Sequence, residues 1–161
     1  GVLNRVASLF RRRNFNIESL NVGKTHTAGI SRMTFVVEAD EDIGRRVQAN
    51  LYKLVNVVYV EDITDTPAVH RNLTLIKVRV APSQRSEVIQ LCEVFRAHIV
   101  DVGPASLVVE LAGTEDKLDG LLRVLRPYGV EELVQTGVVA MKRGLGARPE
   151  LSSIQPRPAF D

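Results

Sequence analysis

The sequence predicts an α+β fold made of two βαββαβ units, the first lacking its opening strand. Three observations carry this. Apolar residues switch repeatedly between a spacing of three to four and strict alternation. The order of elements in the first half is repeated in the second. A turn-rich stretch with a proline, Thr64-Asp-Thr-Pro-Ala68, separates the two.

Residues 2 to 13 set Leu3, Val6, Leu9 and Phe10 at helical spacing and close on Arg11, Arg12 and Arg13, where cations suit the negative end of the helix dipole. A helix ending near Asn14 is expected. Residues 15 to 22 and Met33 to Val37 flank the polar, turn-like stretch Gly23 to Gly29 and read as a hairpin. Asp40 to Val55 opens with acidic residues and carries Ile43, Val47, Leu51 and Leu54 on one side, a second helix. The β-branched run Val57-Val-Tyr-Val60 then predicts a strand.

The second half opens with a long alternating strand from Leu73 to Val80. A helix follows over about Ser83 to Arg96, with Val88, Leu91, Cys92 and Phe95 inward, and then a strand at Ile99 to Val102. After a Gly103-Pro104 turn come a strand at Leu107 to Leu111, a helix from Thr114 to about Arg126 and a closing strand near Leu133 to Met141. The expected boundaries are 1–64 for the first domain, 65–70 for a linker, 71–143 for the second domain and 144–161 for a mobile tail rich in Gly and Pro.

Leu9-Phe10 before Asn16-Ile17 in the first half answers to Val94-Phe95 before His98-Ile99 in the second. The βαββαβ order is the split βαβ, or ferredoxin-like, arrangement with both helices on one face of an antiparallel sheet. Its first strand lies inside the sheet, so a chain opening at Gly1 leaves two strands without their common neighbour. The expectation is a chain truncated at its start, in preference to one that borrows a strand from another molecule.

Composition excludes several classes. Of 161 residues 45% are apolar and 25% charged, and 21 basic against 19 acidic side chains leave a formal charge of +2. That is ordinary for a soluble domain, and no apolar run approaches the roughly 18 residues of a membrane span. The near balance argues against a dedicated nucleic-acid binder. The single cysteine, Cys92, makes no internal disulfide, and with only His26, His70 and His98 scattered along the chain there is no zinc-site spacing. Cys92 lies on the apolar stripe of its helix and is expected as a packed core thiol. Asp40, Glu41 and Asp42 are explained by the dipole of the helix they open. No nucleophile with base, paired carboxylates, phosphate loop or dinucleotide fingerprint stands out.

The informative place is Gly1-Val-Leu-Asn-Arg5 together with Asn16-Ile17. A glycine opening a helix lets a ligand approach free backbone N–H groups, and the dipole there favours a carboxylate. Asn16 can offer a carbonyl oxygen to an ammonium and an amide to a carboxylate. The pair suits an amino-acid zwitterion, although a glycine cap and a turn asparagine explain the same residues.

These residues also carry a resemblance. Gly1-Val-Leu-Asn-Arg-Val6, Arg13-Asn-Phe-Asn-Ile-Glu-Ser-Leu20, Ser31-Arg-Met-Thr34 and Lys53-Leu-Val-Asn-Val57 resemble the ACT domain of the small, regulatory subunits of acetolactate synthase (acetohydroxyacid synthase). Leu75-Ile-Lys77, Phe95-Arg96, Ile99-Val-Asp101, Glu110-Leu-Ala-Gly-Thr114, Lys117-Leu-Asp119 and Thr136-Gly-Val138 are similar to that family's C-terminal domain. The likeness covers about residues 1 to 143 and departs at the start, where the family has a strand and an acidic, Asn-containing turn that contributes to the effector pocket.

The resemblance implies a non-catalytic subunit that activates a large catalytic subunit and confers feedback inhibition by valine or another branched-chain amino acid. Thiamine diphosphate, Mg and FAD are expected in the catalytic subunit, with no cofactor or metal in this chain. It further implies a homodimer through the ACT domain, with the effector at the interface, backbone N–H groups of Gly1, Val2 and Leu3 on its carboxylate, Asn16 on its polar head and Ile17 against its side chain. Neither nucleic acid nor membrane is an expected partner. The compartment is the cytoplasm in a bacterium, and a plastid or mitochondrion in a eukaryote. The competing expectations are a stand-alone ACT-type amino-acid sensor regulating another enzyme, and an enzyme in its own right on this scaffold.

Overall fold

A computed structural model describes residues 1–146 of the chain. They form an α+β structure of two βαββαβ-like units, residues 1–69 with 141–146, and residues 70–140.

The first unit opens with α1 (Val2–Arg12), which turns Val6 and Phe10 wholly inward, while Leu3 is 47% exposed. The inward stripe is thus Val2, Val6, Leu9 and Phe10, and Leu3 falls beside it. The helix stops in a Schellman motif. Asn14 adopts φ 56°, its N–H donates to Arg11 O, and the Phe15 N–H donates to Phe10 O. The hydrophobic contact that accompanies this motif is made by the rings of Phe10 and Phe15, edge to face at 5.9 Å. The chain returns as β1 (Ile17–Lys24), paired antiparallel with β2 (Ser31–Val37), and a bulge between Ile17 and Ser19 shifts the register. α2 (Glu41–Leu51) is capped by Asp40, whose carboxylate accepts from Ile43 N at 2.8 Å. Val47 and Leu51 close over Phe10 to complete a small core, with the Phe35 ring 5.1 Å from that of Phe10.

The strand expected at Val57–Val60 is not formed. In the second unit the matching strand pairs with the opening strand, and among the described residues of the first unit no strand lies in that position to offer a ladder. Side chains of α2 and the turn after it hold the segment instead. The Tyr52 hydroxyl donates to Val60 O at 2.9 Å and accepts from Val60 N at 3.1 Å, and Gln48 Nε2 donates to the same carbonyl at 3.2 Å. Helix α2 also ends four residues before the expected Val55.

The second unit carries β3 (Ala68–Arg79), a 3₁₀ turn at Pro82–Gln84, α3 (Arg85–Val94), β4 (His98–Val102), β5 (Ser106–Gly113), α4 (Glu115–Leu125) and β6 (Val130–Lys142). Residues 68–70, expected as linker, are the start of β3. The sheet order is β4-β5-β3-β6, so the opening strand is interior. Alternation on β3 places Thr74, Ile76 and Val78 inward against Leu107, Val109 and Leu111 of β5, and α3 and α4 cover that face with Val88, Cys92, Leu118, Leu121 and Leu125. Each large side chain removed from water there contributes about 1.5–3 kcal/mol, before the entropy of ordering it is subtracted.

Helix α3 ends as α1 does. Arg96 takes φ 56°, its N–H donates to Glu93 O at 2.9 Å, and Ala97 N donates to Cys92 O at 2.9 Å. The two motifs match Asn16 to His98, as expected, and also Asn14 to Arg96, but they match Phe10 to Cys92 where the sequence paired Phe10 with Phe95. The displaced Phe95 packs beside α4, where a Cβ on Gly120 would come within 2.9 Å of its ring. Of the expected tail, residues 147–161 lie outside the described residues.

Candidate functional site

The first four N–H groups of any helix have no acceptor within it, and at α1 nothing local supplies one. Gly1 is the N-cap and has no side chain to offer, its carbonyl accepts from Arg5 N at 3.3 Å, and the first turn holds no acidic residue. Helices α2 and α4 differ: both carry two acids in the first turn, and α2 has its Asp40 cap. Within α1 itself no acidic side chain or cap compensates the positive end, while Arg11 and Arg12 occupy its negative end. A Cβ built on Gly1 would meet nothing within 4 Å. Val2 packs against the core of the first unit, and Leu3 stays largely in solvent.

Asn16 stands just beyond the Schellman turn, at the head of β1. Its carbonyl accepts from Glu38 N at 3.3 Å and its residue is exposed. Ile17, its neighbour, is half-buried against the core and pairs with Val37. Two residues on, where the bulge shifts the register, the Ser19 hydroxyl is enclosed without a hydrogen-bond partner.

Within one chain these two groups are not brought together. Gly1 precedes α1 and Asn16 follows it, and eleven helical residues at 1.5 Å each separate the ends by about 16 Å. The carboxylate and ammonium of an amino acid lie on one carbon and cannot bridge that distance. The helix end and the strand head are thus separate within one chain.

The other reactive side chains are dispersed. Cys92 is 1% exposed inside the second unit, and burial pushes its thiol up to about 11, so it stays protonated near neutral pH. His98 is exposed on β4, and His26 and His70 are exposed in other elements. Among the described residues no group of three or more His, Cys, Asp or Glu is placed to hold a metal, and no helix is long and apolar enough to cross a membrane. Asp62 is held below the usual carboxylate range by bonds from the Thr64 hydroxyl at 2.5 Å and the Thr64 N–H at 3.0 Å. Lys142 pairs with Glu61, and Tyr59, partly desolvated beside Glu61, is raised. These contacts fasten the segment after residue 57. Sequence reading missed the Lys142–Glu61 pair because its two residues lie 81 positions apart along the chain.

Comparison with known proteins agrees with this architecture. Residues 1–59 match the family described as AHAS small subunit-like ACT domain, and residues 71–144 match the one described as small subunit of acetolactate synthase. The chain is 49% identical over 144 residues to a probable acetolactate synthase small subunit of Archaeoglobus fulgidus, covering 89% of this chain and 90% of that one. It is 47% identical over 146 residues to the acetolactate synthase small subunit of Bacillus subtilis, covering 89% and 84%. The crystal structure of the acetolactate synthase small subunit from Thermotoga maritima superposes with a TM-score of 0.81 at 37% identity, over 91% of each chain. With both units matched in order and most of the length accounted for, the chain belongs to the acetolactate synthase small-subunit family and carries its ACT domain.

Proposed function

We propose that this protein is the regulatory, non-catalytic subunit of acetolactate synthase, activating a catalytic large subunit that holds thiamine diphosphate, Mg and FAD and making it sensitive to feedback inhibition by valine. Two copies pair through the ACT domain. The uncapped N-terminus of α1 in one copy takes the amino-acid carboxylate through the N–H groups of Gly1, Val2 and Leu3. The partner copy brings Asn16 to the ammonium and carboxylate, and Ile17 to the side chain. The observation that carries this reading is the placement of the two half-sites at opposite ends of α1, which only a second chain can join around one ligand.

Regulation follows from linkage. A ligand that binds one arrangement of the paired domains more tightly shifts the balance towards it, and the catalytic subunit in contact with that pair responds. Burying an isopropyl group contributes only about 1.5–3 kcal/mol, so charge-assisted bonds to the zwitterion supply much of the affinity. A stand-alone sensor would not need the second unit. The test is acetolactate formation by the catalytic subunit, alone and with this chain, titrated with valine. Wild type should raise the rate and confer inhibition, and Asn16→Ala should keep the activation while valine inhibition falls at least tenfold in sensitivity. Turnover by this chain without a large subunit, or full valine sensitivity in Asn16→Ala, contradicts the assignment.

A further inference from the structure

One face of α1 forms a groove that the effector reading does not use. It has a volume of about 430 Å³ and is lined by the cations Arg5, Arg12 and Arg13, by Ser8, and by the apolar Leu9 and Leu54. The salt bridges among the described residues involve Arg45, Lys77, Arg79 and Lys142, and none of the arginines of α1. Arg13, just past the end of α1, reaches α2: Asn50, 8% exposed, accepts from Arg13 Nη2 at 3.5 Å and donates to Arg46 O at 2.7 Å.

Arg5 and Arg12 are two helical turns apart, about 10 Å along the axis. That is too far for one phosphate or carboxylate to satisfy both, but it matches carboxylates seven residues apart on a helix or three apart on an extended strand. The leucines that line the groove with the cations ask for an apolar side chain between those acids. Arginine forks favour carboxylates in two-pronged geometry.

We infer that this groove is the docking surface for an acidic, amphipathic segment of the partner protein, which under the proposed function is the catalytic subunit, and the inference rests on that reading. Charge complementarity speeds the encounter and makes it salt-sensitive.

The experiment measures association of the full chain with the catalytic subunit at 50 mM and 300 mM salt. Arg12→Glu, and separately Arg5→Glu, should weaken association at least tenfold at low salt with an unfolding midpoint no lower than that of Arg11→Glu, and Arg12→Lys should recover most of the loss. Arg11→Glu is the matched control, because it makes the same charge change in the same helical turn outside the groove, and it should stay within twofold of wild type. If wild type associates and the groove reversals do not differ from Arg11→Glu, the groove is not the docking surface and the regulatory reading stands. If wild type does not associate at all, both fail. If Arg12→Glu instead changes sedimentation of the chain by itself, the face is a contact between copies and the inference is overturned.

Discussion

Arg96 holds the left-handed backbone conformation, φ 56°, at the end of α3 with an exposed side chain. The Cβ makes that conformation cost roughly 1–2 kcal/mol, and glycine is the residue that adopts it freely. Arg96→Gly should therefore stabilise the second unit by about 1 kcal/mol, after the extra chain entropy of glycine is taken off, and raise its thermal midpoint. Asn14→Gly should gain less, since asparagine already tolerates the conformation. A fall in midpoint for Arg96→Gly would mean that the side chain contributes more than the backbone strain removes. Cys92 gives a second check at this scale. Its thiol is neutral in the fold up to about 11 and would ionise near the ordinary thiol value of 9.0 when exposed. The folded state thus retains a proton that the unfolded chain loses between these values, so this contribution is complete below pH 9 and disappears as pH rises towards 11. At pH 8 a thiol-specific disulfide reagent should leave Cys92 untouched in the native protein and modify it fully in denaturant.

Elements were legible in the sequence where one surface decides them. The apolar stripes of α1 and α4 and the alternation of β3 reflect burial against one core, and that periodicity is written locally. Val57–Val60 was not legible in the same way, because β-branched residues favour an extended backbone but a ladder needs a neighbouring strand. The clamp that replaces the ladder is made by Tyr52 and Gln48, and no local spacing announces it. Tyr52→Phe removes two hydrogen bonds to Val60 in a partly exposed setting, a net cost of about 1 kcal/mol or less. Amide exchange at Val60 should accelerate markedly while exchange in β3 and β5 stays unchanged. Equal protection at Val60 in the variant would show that Lys142–Glu61 and the partly buried Val60 side chain suffice to hold the segment. The motif pairing of the two halves was half legible for a related reason. The helix-ending turns repeat, but Cys92 and not Phe95 takes the place of Phe10, and the Phe95 ring lies against Gly120.

For the whole molecule, the sequence marked candidate site residues and the structure gives their spacing. Glycine before a helix and Asn16-Ile17 after it were each ambiguous, and neither pattern tells whether the two meet. The length of α1 answers that, since it puts Gly1 and Asn16 at its two ends. A ligand held by both must then lie between two copies, and a change at one end of α1 can be complemented by an intact end on another chain. The most direct measurement is valine calorimetry on three preparations, Gly1→Asp, which sets a carboxylate against the incoming anion, Asn16→Ala, and the purified heterodimer of the two. The account predicts no valine binding by either variant alone and recovery in the heterodimer of one site per pair, half the wild-type stoichiometry. A heterodimer that fails to bind valine, or either single variant binding it with wild-type affinity, would contradict a site shared between chains.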